Sequence, residues 1–241
     1  MAKRLLMAFC FLAFVIQVGC SGKDKVGTTF DNASFNLKTV EKRVIGRVPE
    51  ADITLYATNE TDDMYKGLIL KYVDNEEKVS WKSVSNPDCK PILMLADLNK
   101  DKKDELIVIL TTEYGEENSI SEAHIIDIEN WTEVYIKDPI EKINKEVKTK
   151  LTHDIATIDI NNKSTKIDIK EYSKDAELYN KIKFGDTINF SVNNNILTAE
   201  SSAKVAPSVS IGRIFITYEY NGDIYDVKDI IFKPKQVLKT N

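Results

Sequence analysis

The sequence predicts a β-rich α+β chain, arranged as two sheet-based lobes with one or two short amphipathic helices. Three observations lead to that expectation. Most apolar residues fall in short runs or in period-two alternation, the pattern of strands. One stretch after Asp138 changes to a three-and-four spacing, the pattern of a helix. Turn pairs such as Asn221-Gly222 separate the runs. With 241 residues and 42% hydrophobic content, the chain has enough apolar material for a substantial core.

Residues 1–19 read as a segment to be removed. Lys3 and Arg4 give a positive start, and Leu5 to Ile16 form an apolar run of twelve. A helix that crosses a bilayer needs about 20 such residues. Val18-Gly19-Cys20 follows, and a small residue before a cysteine at this point resembles the bacterial lipoprotein signal. In that signal the new N-terminal cysteine is lipidated. Cys20 is the expected lipid anchor, with Gln17 standing where the signal usually carries an aliphatic residue. An ordinary secretory signal and an uncleaved, somewhat short membrane anchor are the other readings. Residues 20–50 then serve as anchor, polar tether and lead-in.

Of the three cysteines, Cys10 leaves with the signal and Cys20 carries lipid, so only Cys89 remains as a thiol and no disulfide framework can form. Cys89 is expected to act as a small hydrophobe. The whole chain carries a formal charge of −5, and removing Lys3 and Arg4 makes it more acidic. Nucleic acid is therefore excluded as an expected partner.

Residues 51–136 make the first expected lobe. Ile53 to Tyr56, Tyr65 to Val73 and Val79 to Val84 read as strands, with Asp74 to Glu77 as a hairpin connection. Ile92 to Ala96 and Leu106 to Leu110 are short apolar runs of the buried-strand kind, and Ala123 to Ile128 is another strand. Residues 137–241 make the second lobe. Asp138 is a candidate N-cap, with Pro139 at the first helical position. Ile140, Ile143, Val147 and Leu151 recur three or four apart, which predicts about three turns of helix. Ile155 to Ile160 and Ile167 to Ile169 alternate around Asn161-Asn162-Lys163 as a hairpin. Asp175 to Lys183 predicts a second helix stopped by Gly185. Ile211 to Tyr220 and Ile224 to Phe232 flank Asn221-Gly222, read as a type I′ turn with two positive φ angles.

The stretch between the two apolar runs, Asp97-Leu98-Asn99-Lys100-Asp101-Lys102-Lys103-Asp104-Glu105, has oxygen-bearing side chains at alternate places. Calcium takes about six to eight oxygens, and EF-hand-type loops supply them from the first, third, fifth and ninth places plus the seventh carbonyl. Here those places are Asp97, Asn99, Asp101, Glu105 and the carbonyl of Lys103. The spacing fits a calcium loop, and it fits a charged turn between strands equally well. Asp-x-Asn-x-Asp-x-x-x-Glu between apolar strands resembles the calcium loop of FG-GAP and VCBS-type repeats, with Lys100 and Lys102 replacing the usual glycines.

The likeness extends to Ile53–Ala57, Met64–Tyr72, Ser85–Gly115, Glu122–Trp131 and Ile211–Pro234. Together these segments resemble a family of uncharacterised lipoproteins from Bacillus-like and Clostridium-like bacteria. The resemblance implies an exported, membrane-tethered protein with a VCBS-like segment, and it implies no activity.

Catalytic signatures are missing from the sequence. The two histidines, His124 and His153, lie outside any nucleophile-elbow setting, and there is no phosphate loop, Cys-x-x-Cys or His-Glu-x-x-His. Glu113, Glu116 and Glu117 are the candidate carboxylates for an envelope hydrolase acting on glycans or peptides. Tyr218 and Tyr220 share a face with Ile214 and Ile216, which predicts packing and not sugar stacking. Two function classes follow. The first is a non-enzymatic, membrane-anchored binding or assembly module that engages an unknown envelope component. The second is the hydrolase.

Overall fold

A computed structural model describes residues 41–174 and 176–235. Cys20 and the rest of the expected signal and anchor lie outside the described residues, as does the expected tether up to residue 40. The described part is β-rich, with two short helices.

The chain begins with β1 (Arg43–Val48), β2 (Ile53–Ala57), β3 (Asn59–Thr61), β4 (Met64–Lys66), β5 (Ile69–Tyr72), β6 (Asn75–Lys78) and β7 (Ser83–Val84). These make a four-stranded sheet in the order β1-β2-β5-β6 and a small sheet β3-β4-β7. The expected single strand from Tyr65 to Val73 is broken at Gly67, whose φ of 59° turns the chain between β4 and β5. Asp74 to Glu77 is mostly strand β6 and not a loop, because the turn after Tyr72 takes only Val73 and Asp74. Of the expected strand Val79 to Val84, only Ser83–Val84 pairs.

Next come β8 (Ile92–Ala96), β9 (Glu105–Tyr114), β10 (Ser119–Asp127) and β11 (Thr132–Val134). Helix α1 (Pro139–Glu146) leads to β12 (Lys148–Leu151), β13 (Ile155–Ile160) and β14 (Lys163–Asp168), which form a three-stranded sheet. Helix α2 (Lys170–Ser173) precedes β15 (Thr187–Asn193), β16 (Ile196–Ala206), β17 (Val209–Tyr220) and β18 (Tyr225–Pro234). The main sheet runs β18-β17-β16-β15-β10-β9-β8, with β11 added to β10. It draws strands from both sides of residue 137.

Strand β9 divides the interior. Its period-two alternation sends Leu106, Val108 and Leu110 into a core with Val48, Ile53, Leu55, Leu68 and Leu70. The intervening Ile107 and Ile109 enter a second core with Ile125, Ile143, Ile158, Ile214 and Ile216. A strand covered on both faces reads as an unbroken apolar run, which is why this one was visible in the sequence.

Helix α1 starts as expected. The Asp138 carboxylate accepts hydrogen bonds from the Ile140 and Glu141 amides, and Pro139 fills the first position. It ends after two turns instead of three. Val147 leaves the helix with φ −94° and ψ 118°, and Lys148–Leu151 pairs with β13. The second helix also lies earlier than expected, at Lys170–Ser173, and residues 176–183 are not helical. The Asn161-Asn162 turn is a two-residue hairpin with φ of 48° and 62°. Asn221-Gly222 is different: only Gly222 has positive φ, 99°. The loop is four residues long because Tyr220 pairs with Tyr225. Asn221 Oδ1 accepts from the Asp223 and Ile224 amides and holds the loop open at that length.

Candidate functional site

The Asp97–Glu105 stretch joins β8 to β9, and its backbone follows the course that glycines usually permit. Lys100 has φ of 67° and Lys102 has φ of 73°, so both lysines sit in the left-handed region. That conformation costs an L-residue about 1–2 kcal/mol. The side-chain oxygens of the loop offset this by accepting its amides. Asn99 Oδ1 takes the Asp101 N–H at 2.8 Å, Asp101 Oδ1 takes the Lys103 N–H at 2.8 Å, and Asp97 Oδ2 takes the Lys102 N–H at 3.1 Å. Each oxygen bonds an amide further along the loop and curls the chain around the acids.

Glu105 closes the turn from the strand side. It is 4% exposed, and its Oε2 accepts the Leu98 amide at 2.8 Å. Burial pushes its carboxyl above the usual range. Hydrogen bonds from Leu98 and Asn99 oppose that shift, while Asp101 and Asp97 add to it. Asp97 Oδ1 is buried and has no hydrogen-bond partner. A buried carboxylate oxygen without a donor is costly, and a cation would relieve it. Beside the loop, burial raises the Tyr225 phenol, and the charges of Glu105, Asp101 and Asp97 raise it further.

The donor set of Asp97, Asn99, Asp101 and Glu105, with the Lys103 carbonyl, suits a hard cation by chemistry. Among the described residues no three acidic, histidine or cysteine side chains already converge as a cage. An ion would have to be closed upon by side-chain rotation. The Lys103 ammonium pairs with Glu129.

The other sequence candidates fall elsewhere. Glu113, Glu116 and Glu117 are exposed at the far end of β9 and in the turn beyond it. The backbone of that turn is held by the buried Lys204, whose Nζ donates to the Glu117 carbonyl at 3.0 Å. Cys89 is a half-buried free thiol. His153 is exposed beside Asp154. Tyr218 is buried and donates its hydroxyl to the Lys137 carbonyl, and Tyr220 tilts against Tyr225 at 5.3 Å, so both pack as expected.

One cluster was missed in the sequence. His124 Nδ1 lies 2.6 Å from Glu133 Oε1, Trp81 stacks on the imidazole at 4.2 Å, and Trp81 Nε1 donates to Glu133 Oε2. His124 holds the Glu133 carboxyl below its usual range. The Ser121 hydroxyl does not join this cluster, because it is occupied by the Ile188 carbonyl and the Phe190 amide. Trp81 and Glu133 are 52 residues apart, and no periodic signal links them.

No protein-family model, no curated protein and no solved structure matches the chain.

Proposed function

We propose that the chain is an exported, membrane-anchored lipoprotein that serves as a non-enzymatic binding or assembly module at the cell envelope, with residues 97–105 as a weak calcium loop. The observation that carries the calcium part is the pairing of two left-handed lysines with a buried, unpartnered Asp97 Oδ1. Left-handed residues also form ordinary turns in this chain, as at Asn161-Asn162, so the weight falls on the unpartnered oxygen. Bound calcium supplies positive charge to the carboxylates of Asp97, Asp101 and Glu105 and ties the end of β8 to the start of β9. Asn99 and the Lys103 carbonyl complete the oxygen set.

The anchor rests on Gly19-Cys20 after a short apolar run, and the partners are a membrane through the Cys20 lipid and an unidentified envelope component. The two cores on either side of β9 support a reading as two lobes that share the main sheet. The hydrolase reading gains little, since Glu113, Glu116 and Glu117 are exposed and none is enclosed in a cleft. The test of the anchor is Cys20→Ser followed by membrane fractionation. The variant is expected to leave the membrane fraction or to accumulate as unprocessed precursor, and unchanged processing with unchanged membrane association refutes the lipoprotein assignment.

A further inference from the structure

The main sheet ends at β18 on one side and at β8 on the other, and the two edges are built differently. In β18, Asp226, Lys228, Asp229 and Lys233 interrupt the apolar pattern, and the Asp226 and Asp229 carboxylates accept the Val227 and Ile230 amides. Charges on a sheet edge hinder pairing with another chain. The smaller sheets are guarded in the same way. Strand β1 carries Arg43, Arg47 and a bulge, β3 carries Glu60, β6 reads Asn-Glu-Glu-Lys, and β12 and β14 carry lysines. Strand β7 is only two residues long. In contrast, β8 reads Ile92-Leu93-Met94-Leu95-Ala96, with no charge, no polar side chain and no proline.

The register shows which backbone groups this edge offers. The Ser119 N–H donates to the Asp186 carbonyl, so odd-numbered residues of β10 turn their backbone groups away from β9 and even-numbered ones toward it. Glu122, His124 and Ile126 face Leu110, Val108 and Leu106. Ile109, Ile107 and Glu105 therefore aim their backbone groups at β8, where they meet Ile92, Met94 and Ala96. Leu93 and Leu95 remain, with N–H and C=O groups pointing out of the sheet and no ladder partner among the described residues. The side chains record the same edge. Leu106 to Leu110 on β9 are buried, whereas Leu93, Met94 and Leu95 are half-buried and Ile92 is 51% exposed. Strand β1 packs over a face of β8, where a Cβ on Gly46 would meet the Leu93 side chain, and it pairs with β2 alone.

We propose that β8 pairs antiparallel with β8 of a second copy across a twofold axis at Met94, joining two main sheets edge to edge. The strand is self-complementary about that point, because Leu93 and Leu95 flank Met94 with the same side chain. In this register Leu93 of each copy exchanges its N–H···O=C bonds with Leu95 of the other, so the outward groups are satisfied. The flanks also match. Asp88 and Lys90 precede the strand, and Lys100 and Asp101 follow it, so each end of an antiparallel pair brings both signs together. A ladder of five residues is smaller than a standard interface of roughly 1,600 Å². The dimer is expected to be weak, with a dissociation constant on the order of 10–100 μM. The inference depends on neither calcium nor the lipid, so its failure leaves both standing.

Register-specific cross-linking of the full chain in non-ionic detergent tests the pairing. In a Cys89→Ser background, which sets the baseline, Met94→Cys places two thiols face to face at a non-hydrogen-bonded pair, within disulfide reach. Ile92→Cys places them about 14 Å apart, because four residues of strand separate them. Met94→Cys is expected to form the disulfide dimer at least about tenfold faster under mild oxidation. Random collision would favour the more exposed Ile92→Cys, so the ranking separates a paired register from chance. Sedimentation of the chain without new cysteines is the second measurement. Its average mass is expected to rise with concentration up to about 500 μM, and Ile92→Lys, which puts a charge on the edge at an exposed position, is expected to abolish that rise. Cross-linking of Ile92→Cys as fast as Met94→Cys, a mass that stays monomeric throughout, or self-association undiminished by Ile92→Lys overturns the proposal.

Discussion

Two acidic loops flank β9, and they differ in what their carboxylates do. The entry loop, residues 97–105, ties its oxygens to its own amides and buries Glu105. The exit turn carries Glu113, Glu116 and Glu117 into solvent, and its backbone is fixed from outside by Lys204. In sequence both are acid-rich connections next to the same apolar strand. The difference shows that acidic composition does not by itself make a site. What distinguishes the entry loop is strain held in place by hydrogen bonds around an unsatisfied oxygen, while the exit turn spends its polar contacts on a strap.

Lys204 is 7% exposed and reaches both the Glu117 carbonyl and Asp186. Lys204→Ala is expected to destabilise the fold by about 2 kcal/mol in denaturant unfolding and to leave any calcium response intact. A change in stability within about 0.5 kcal/mol would mean that the exit turn is not held in this way.

Strain in the entry loop gives the next largest effect. Lys102→Gly removes a side chain from a position with φ of 73° and is expected to stabilise the chain by about 1 kcal/mol and to tighten calcium binding. A destabilised glycine variant would indicate that the left-handed backbone is not the native one.

Glu105 gives the smallest effect and the clearest sign. Its folded carboxyl is raised by burial, so its contribution to stability is complete below the unfolded value and is lost as pH rises through the folded one. Glu105→Gln without calcium is therefore expected to melt about a degree or two above the parent at neutral pH and level with it near pH 4. Calcium should remove the neutral-pH advantage by favouring the charged parent. A glutamine variant that melts lower at neutral pH and higher in acid would reverse this sign.

Parts of this architecture were legible because the relevant forces are local. Asp138-Pro139 announced the start of α1 through capping chemistry that needs only neighbouring residues. The run from Leu106 to Leu110 announced a strand covered on both faces. The end of α1 was not legible, since Val147 and Leu151 fit a helical stripe and a half-buried strand alike, and the pairing of Lys148–Leu151 with β13 decided between them. Asn221-Gly222 misled because the Asn221 side chain caps a four-residue loop, an alternative that the dipeptide also permits. The oxygen spacing of the entry loop could be read directly. The left-handed lysines were legible only through the glycine places they fill, and the Trp81–His124–Glu133 cluster was not legible at all, because its members meet only in the fold.

The most direct measurement is thermal unfolding with calcium titrated to several millimolar and magnesium as the control, on the parent, Asp97→Ala and the Glu116→Gln/Glu117→Gln pair. A small, saturable rise with calcium is expected, equivalent to about 1 kcal/mol or less. Magnesium, which demands a tighter octahedral shell, should do less. The exit-turn variant should respond as the parent does, and Asp97→Ala should not respond. Equal shifts with the two ions, or an undiminished calcium response in Asp97→Ala, would contradict the account and leave residues 97–105 as a charged turn.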